Sequence, residues 1–236
     1  MRCFRFLLAA VAVAILAATP ALAQISTLRI TEAMSSSGGG GTADWWEVTN
    51  FGGSAVDITG WKFDDSSFAF ANSVTLNGVT NIGAGESVVF IETAAPLTDI
   101  PNFRTFWGGS ANVAAIGSYS GSGVSLSSAG DGIVLFDSVG TEVTPRVSFG
   151  AATTGSSFYY QYDAIGDPTT SPNTNAVLSA VGTLNGQVTY LSTSIAPQNT
   201  GSPGTAINAV PEPSSLALIG CGVSVAAWIA NRRQNG

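Results

Sequence analysis

From Leu28 to Tyr190 the chain is written in short β-branched and aromatic runs that stop at clusters of glycine, asparagine, aspartate or serine. That punctuation is the signature of strands and turns. Leu28 and Ile30 alternate with Arg29 and Thr31, predicting a half-buried first strand, and Trp46 and Val48 alternate with Glu47 and Thr49 in the next. Val56-Asp57-Ile58 leads through Thr59-Gly60 into Trp61-Lys62-Phe63, again with period two. Further strands are predicted at Ser87–Ile91, Gly132–Phe136, Thr141–Val143, Val147–Phe149, Phe158–Tyr160 and Val188–Tyr190. Asn77-Gly78 and Gly83-Ala84-Gly85 mark turns, and Asp137–Gly140 reads as a hairpin loop. No stretch between 24 and 205 carries a sustained 3.6-residue apolar stripe with caps. The pattern predicts an all-β domain, a β-sandwich whose two sheets bury alternating faces about 10 Å apart.

Both ends read differently. Arg2 and Arg5 precede the apolar stretch Phe6–Ala18, and Ala21-Leu22-Ala23 forms a small-residue cleavage site before Gln24. Residues 1–23 are therefore expected to be a signal peptide, a helix removed on export. At the other end a linker, 206–215, carries Pro211-Glu212-Pro213, and the segment 216–236 follows it. Its apolar run, Leu216–Ala230, has 15 residues where a spanning helix needs about 20, and it ends in Asn231-Arg232-Arg233. Pro211, Glu212, Pro213, the short hydrophobic helix and the basic Arg232 and Arg233 stand in the order of the PEP-CTERM sorting signal of Gram-negative bacteria, which this tail resembles. The resemblance implies recognition by an exosortase-type protease-transpeptidase at the inner membrane. It implies transient anchoring in the membrane, then delivery to the cell surface or extracellular matrix. An uncut C-terminal anchor is the alternative.

Between those ends lies the body, 24–205. Cys3 belongs to the leader and Cys221 to the tail, so the body has no thiol and must be held by its core alone. It carries four basic residues, Arg29, Lys62, Arg104 and Arg146, against 14 acidic ones. Such a surface repels phosphate, so nucleic acid is not an expected partner. The whole chain lacks histidine. Histidine bases, Ser-His-Asp or Cys-His nucleophiles and histidine- or thiolate-bound zinc are thereby excluded. A Ser-Lys pair would need Lys62, the single lysine, which is expected to face solvent from its strand. Carboxylate chemistry remains, but nothing in the spacing singles out two acids. Gly38–Gly41 is expected to be a loop, since no Lys-Ser or Lys-Thr follows it as in a phosphate cradle.

The runs Leu28-Arg-Ile-Thr-Glu-Ala-Met34, Asp44-Trp-Trp-Glu-Val-Thr-Asn50 and Val56-Asp-Ile-Thr-Gly-Trp-Lys-Phe-Asp-Asp65 together resemble the lamin tail domain. Ile82–Val88, Ser125-Leu126 before Gly130-Asp131, and Gly201-Ser-Pro-Gly204 fit it too. The likeness runs over most of 25–205, with 38–43, 92–124 and 163–185 departing from it. It implies an immunoglobulin-like sandwich. The motif residues also have reasons of their own. Gly60 suits a turn with positive φ. Trp46 and Trp61 face inward and enlarge a core without disulfides. Asn50 can hydrogen-bond within its own turn. Glu32 and Glu47 are the unusual pair: edge-strand charges, acceptors for a loop backbone, or a catalytic pair.

Two ligand classes remain open. Calcium takes hard oxygen ligands, and Asp64, Asp65 and Asp131 lie in suitable loops, although none follows EF-hand spacing and each also serves as a turn former. Trp107, Tyr119 and Tyr159 would stack on sugar rings if they stood at exposed phases; ordinary core or rim packing is the favoured reading. The expected function is a non-catalytic surface or matrix module for adhesion or scaffolding, meeting exopolysaccharide or surface proteins. A polysaccharide-binding or polysaccharide-acting protein, calcium-dependent or not, is the alternative.

Overall fold

The computed structural model describes residues 27–38, 44–109, 113–121, 123–162, 174, 176–184, 187–193 and 198–206. The expected signal peptide with Ala21, Ala23 and Gln24 lies outside the described residues. So do 39–43, 163–173, and the tail with Pro211, Glu212, Pro213, Arg232 and Arg233. Among the described residues no helix is long and apolar enough to cross a membrane.

The fold is an all-β, immunoglobulin-like sandwich. Its strands in chain order are β1 (Leu28–Met34), β2 (Trp45–Asn50), β3 (Val56–Asp57), β4 (Lys62–Asp64), β5 (Val74–Thr75), β6 (Asn81–Ile82), β7 (Ser87–Glu92), β8 (Ala115–Tyr119), β9 (Asp131–Phe136), β10 (Val147–Phe149), β11 (Phe158–Tyr160), β12 (Ala176–Leu178), β13 (Gly182–Leu184), β14 (Gln187–Leu191) and β15 (Thr200–Gly201). The larger sheet has six strands in the order β12-β11-β1-β2-β7-β8, and the facing sheet has four, β10-β9-β4-β5. Smaller sheets pair β3 with β6 and run β13-β14-β15. The inner faces meet in a core of Leu28, Ile30, Trp46, Val48 and Phe90 against Phe63, Ile133, Leu135 and Val147. Trp46 stacks on Phe90 with centroids 4.8 Å apart and lies 5.1 Å from Phe63.

Three expectations change. First, β1 and β2 are buried on both faces rather than one. A second core of Met34, Trp45, Val89, Ile91, Phe103, Phe106 and Trp107 lies on the outer face of the large sheet. Second, the chain contains a helix, α1 (Pro96–Phe106), which covers that face. It begins with Pro96 in the first turn, has no side-chain N-cap, and carries Pro101 inside. Its buried stripe is short, Phe103 and Phe106 with Ile100 partly covered, so no long period announces it. The helix also explains a topological exception, because β7 and β8 pair in parallel and parallel neighbours need a crossover. Third, Thr141–Val143 makes only a bridge, Glu142 to Phe136, with Val143 N–H donating to the Leu135 carbonyl. The hairpin is present but its second arm is too short for a strand.

The turn chemistry follows expectation. Gly60 has φ +75°, and Trp61 N–H donates to the Ile58 carbonyl at 3.0 Å. Asn50 is fully engaged: its amide donates to Ser54 O and Ile82 O, and its oxygen accepts from Thr27 Oγ1 and Gly52 N–H. Trp61 is only partly buried at the margin of the core. Lys62 is half-buried, with Nζ 4.7 Å from the centre of the Phe70 ring.

Candidate functional site

The most unusual chemistry in the domain is a pair of carboxylates sealed in its interior. Glu32 and Glu47 are both fully buried, and they are direct cross-strand partners on β1 and β2. Sequence alternation alone would send Glu32 to the same side as Ile30. The pairing skips a residue between Ile30 and Glu32, so that Thr31 is the extra residue of a β-bulge. A bulge re-aims the side chains that follow it. Here it turns Glu32 to the outer face beside Glu47, and Thr31 Oγ1 donates to Glu47 Oε1 at 2.6 Å.

The pair is roofed by the closing segment of the domain. Ser202 N–H donates to Glu32 Oε1 at 2.8 Å and Ser202 Oγ to Oε2 at 2.6 Å, while Ser157 Oγ also donates to Oε1. Gly204 N–H donates to Glu47 Oε2 at 2.5 Å. Burial pushes the Glu32 carboxyl up to about 7, against the pull of its Ser157 and Ser202 hydrogen bonds. Burial, and then the Glu32 charge, hold Glu47 well above the carboxylate range. The two share less than two negative charges at neutral pH. Glu47, held the higher of the two, keeps the proton, and Glu32 carries the shared charge.

Neither strand is an edge, so the edge-charge reading of these acids is replaced by the second one, acceptors for a loop backbone. The Gly201–Gly204 segment lies directly against both carboxylates. That roof is tight. A Cβ on Gly201 would come 2.8 Å from Glu32 Oε1, 3.0 Å from Ser157 Oγ and 3.2 Å from Trp107 Cη2. We expect Gly201→Ala to cost about 1–3 kcal/mol, the range for overpacking, read as a lower denaturation midpoint at unchanged slope.

A family model described as the lamin tail domain matches residues 22–151. The chain belongs to the lamin tail domain family. Among curated proteins, none matches the chain. The family is one of immunoglobulin-like, non-enzymatic domains, so the body is a β-sandwich module. The large sheet and its contacts continue past the matched residues. β11 pairs with β1, β12 extends that sheet, and the segment carrying Ser202 and Gly204 completes the acid pocket.

The other expected site residues fall in two groups. Trp107, Tyr119 and Tyr159 are buried, at 1%, 0% and 3% exposure, as the core-packing reading requires and sugar stacking does not. Trp107 sits in the outer core against Trp45, Phe106 and Tyr190. Tyr119 packs on Phe63 and Trp46 between the sheets, and Tyr159 lies in β11 between β1 and β12. Phe103, Phe106 and Tyr190 pack against Trp107, and Phe63 of the facing sheet packs against Tyr119, so neither ring is open to a sugar. The acids act as turn formers. Asp64 Oδ2 accepts from Ser67 Oγ and Ala69 N–H, and Asp65 from Ser67 N–H. Asp131 accepts from the N–H groups of Ser66, Ser127 and Gly132, tying the β4 and β9 loops together. Among the described residues no three histidine, cysteine, aspartate or glutamate side chains converge as a metal group.

Among the described residues, Asp44, Glu92, Thr93, Ala94, Ser120 and Gly121 line an open cleft of about 550 Å³. Sequence reasoning passed over Asp44 and Glu92. The available signal was positional: each is an acid at the end of an apolar strand, in the same phase as a core residue two places away.

Proposed function

We propose that the protein is an exported, surface- or matrix-associated module that serves in adhesion or matrix scaffolding without catalysing a reaction. In this reading residues 1–23 direct export. Pro211-Glu212-Pro213, the apolar run 216–230 and Arg232-Arg233 present the chain to an exosortase-type protease-transpeptidase, which removes the tail. The observation that carries the reading is the position of the last contacts the sandwich needs. Ser202 and Gly204 are held by Glu32 and Glu47, and the linker begins at 206, directly after them. A cut near Pro211 therefore leaves every one of those contacts in place. Burial of Trp107, Tyr119 and Tyr159 removes the aromatic surface on which the polysaccharide-stacking alternative rested. Mass spectrometry of the protein recovered from its native surface tests the proposal. A species starting at Gln24 and ending near Pro211 is expected; a chain intact through Gly236 would overturn sorting by cleavage.

A further inference from the structure

Up to Gly201 the closing segment is held by main-chain bonds. Tyr190 pairs with Gly201 and Leu191 with Thr200. Thr200 N–H donates to the Gly155 carbonyl at 2.7 Å, and Ser157 N–H donates to the Thr200 carbonyl at 3.0 Å. β15 ends at Gly201, and from Ser202 the attachment changes character. Ser202 N–H and Oγ rest on Glu32, Gly204 N–H rests on Glu47, and the Tyr190 hydroxyl donates to the Pro203 carbonyl at 2.7 Å. Ser202 and Pro203 are buried, whereas Gly204, Thr205 and Ala206 are half-buried. Residues 202–205 are thus a strap, firm at its Gly201 end and within reach of water at the other.

Beneath the strap two carboxyls stand as cross-strand neighbours, a spacing at which like charges oppose double ionisation. The other charged and titratable groups around them are Arg29, Tyr159 and Tyr190. Arg29 pairs with Thr49, and its guanidinium donates to the Leu28 carbonyl at 3.0 Å. Tyr159 pairs with Glu32 from β11. Burial, and then the charges of Glu32 and Glu47, hold the Tyr190 phenol well above its usual range, so it stays a neutral donor to Pro203. The acid pair also has a path to the surface. Thr31 Oγ1 lies 2.6 Å from Glu47 Oε1, Thr49 Oγ1 lies 2.9 Å from Thr31 Oγ1, and Ser87 Oγ lies 2.7 Å from Thr49 Oγ1. Thr31 and Thr49 are buried and Ser87 is half-buried, so an unbroken line of hydroxyls leads a proton from the pair to the edge of its cover.

We propose that residues 202–205 are a proton-gated strap: closed while Glu32 and Glu47 share a proton, lifted when that proton leaves, with the sandwich beneath still folded. The closed strap shuts water out and therefore favours the protonated pair. Lifting it lets water reach both acids, and both can then ionise. The closed form binds the proton more tightly than the open form, so rising pH shifts the balance toward the open strap and falling pH restores the closed one. Burial gives Glu32 the same sign, raised to about 7. Release adds 202–205 to the linker that begins at 206, an extension of about 14 Å when fully stretched. The reach of the tail from the domain thereby becomes dependent on pH.

The test is hydrogen exchange of the full chain in mild detergent, read at the amides of residues 202–205 and corrected for the intrinsic rise of exchange with pH. Strap opening should increase at least about tenfold from about pH 5 to about pH 9. Over the same interval the amides of β1, β2 and β7 should stay protected, since the opening is local. In Glu47→Gln only Glu32 titrates beneath the strap, so the increase should be at least about threefold smaller. Tyr190→Phe removes a neutral anchor of the same strap, and its opening should rise by one factor at every pH with the slope unchanged. Three results would overturn the proposal: strap exchange that ignores pH, loss of strap protection in step with β2 and β7, or a full pH response in Glu47→Gln. A slope reduced as much in Tyr190→Phe as in Glu47→Gln would also overturn it, because loosening rather than lost charge would then set the response.

Discussion

Replacing Glu32 by alanine is expected to cost about 3 kcal/mol or more and to release the end of the domain. The substitution removes the carboxylate that accepts from three buried donors, the Ser157 hydroxyl and the Ser202 N–H and hydroxyl. A buried hydrogen bond to a charged group that is lost in this way costs about 1–3 kcal/mol. Glu47→Gln is expected to stay within about 1 kcal/mol of the parent, since an amide replaces a carboxyl that already carries its proton. Equal damage from both substitutions would contradict the assignment of the shared charge to Glu32. The pair also sets the pH dependence. The folded Glu32 titrates near 7 against an ordinary 4.5, so the folded state binds a proton that the unfolded chain has released. Stability from this group is complete below about pH 4.5 and is lost as pH rises to and through 7. Glu47 and Asp44, both raised, act in the same direction. Melting temperature should therefore fall between about pH 5 and pH 8, and the fall should be shallower in Glu47→Gln. A melting temperature that climbs over that interval would contradict burial as the dominant influence on these acids.

Trp107→Ala is the second large effect, and its readout is folding rather than binding. The indole is 1% exposed and makes edge contacts with Trp45 at 5.9 Å, Phe106 at 5.6 Å and Tyr190 at 5.8 Å. It joins α1, the large sheet and the 187–191 strand in one cluster. Truncating a buried tryptophan to alanine costs about 3–5 kcal/mol. In a domain of this size that lowers the melting temperature by roughly 10 °C. Any polysaccharide retention by the variant should fall only in step with its folded fraction. Selective loss of retention by a fully folded variant would return Trp107 to a ligand surface.

How far the sequence discloses this molecule depends on which face is in question. The inner core was legible, because Leu28, Ile30, Trp46, Val48 and Phe63 follow a simple period of two and the turns at Gly60 and Asn50 have distinctive chemistry. The outer face was not. Trp45, Glu47 and Thr49 look like a solvent-facing set until α1, β14 and residues 198–204 are laid over that face, and tertiary cover leaves no local mark. The bulge at Thr31 was equally hidden, since inserting one residue changes no composition and still reverses the face of Glu32. Asp64, Asp65 and Asp131 drew attention through glycine-rich, acidic loops. Such loops are built the same way whether the carboxylate holds a cation or a backbone N–H. Asp44 and Glu92 were missed because they line one cleft only in the assembled sheet.

The acid pocket has a consequence for the order in which the chain can mature. Glu32 meets Ser202 across 170 positions of sequence. Strands β1 and β2 can pair as soon as both are made, but their two carboxylates then wait for donors that are synthesised almost last. Until residues 200–204 arrive, Glu32 lacks its Ser202 donors and Glu47 its Gly204 donor. The domain thus contains a built-in completion check: its earliest strands gain their full stability only when its latest residues dock. Closure over so long a separation is slow, and a polypeptide cut short before Ser202 would retain the sandwich pattern while lacking the groups that make it worth folding.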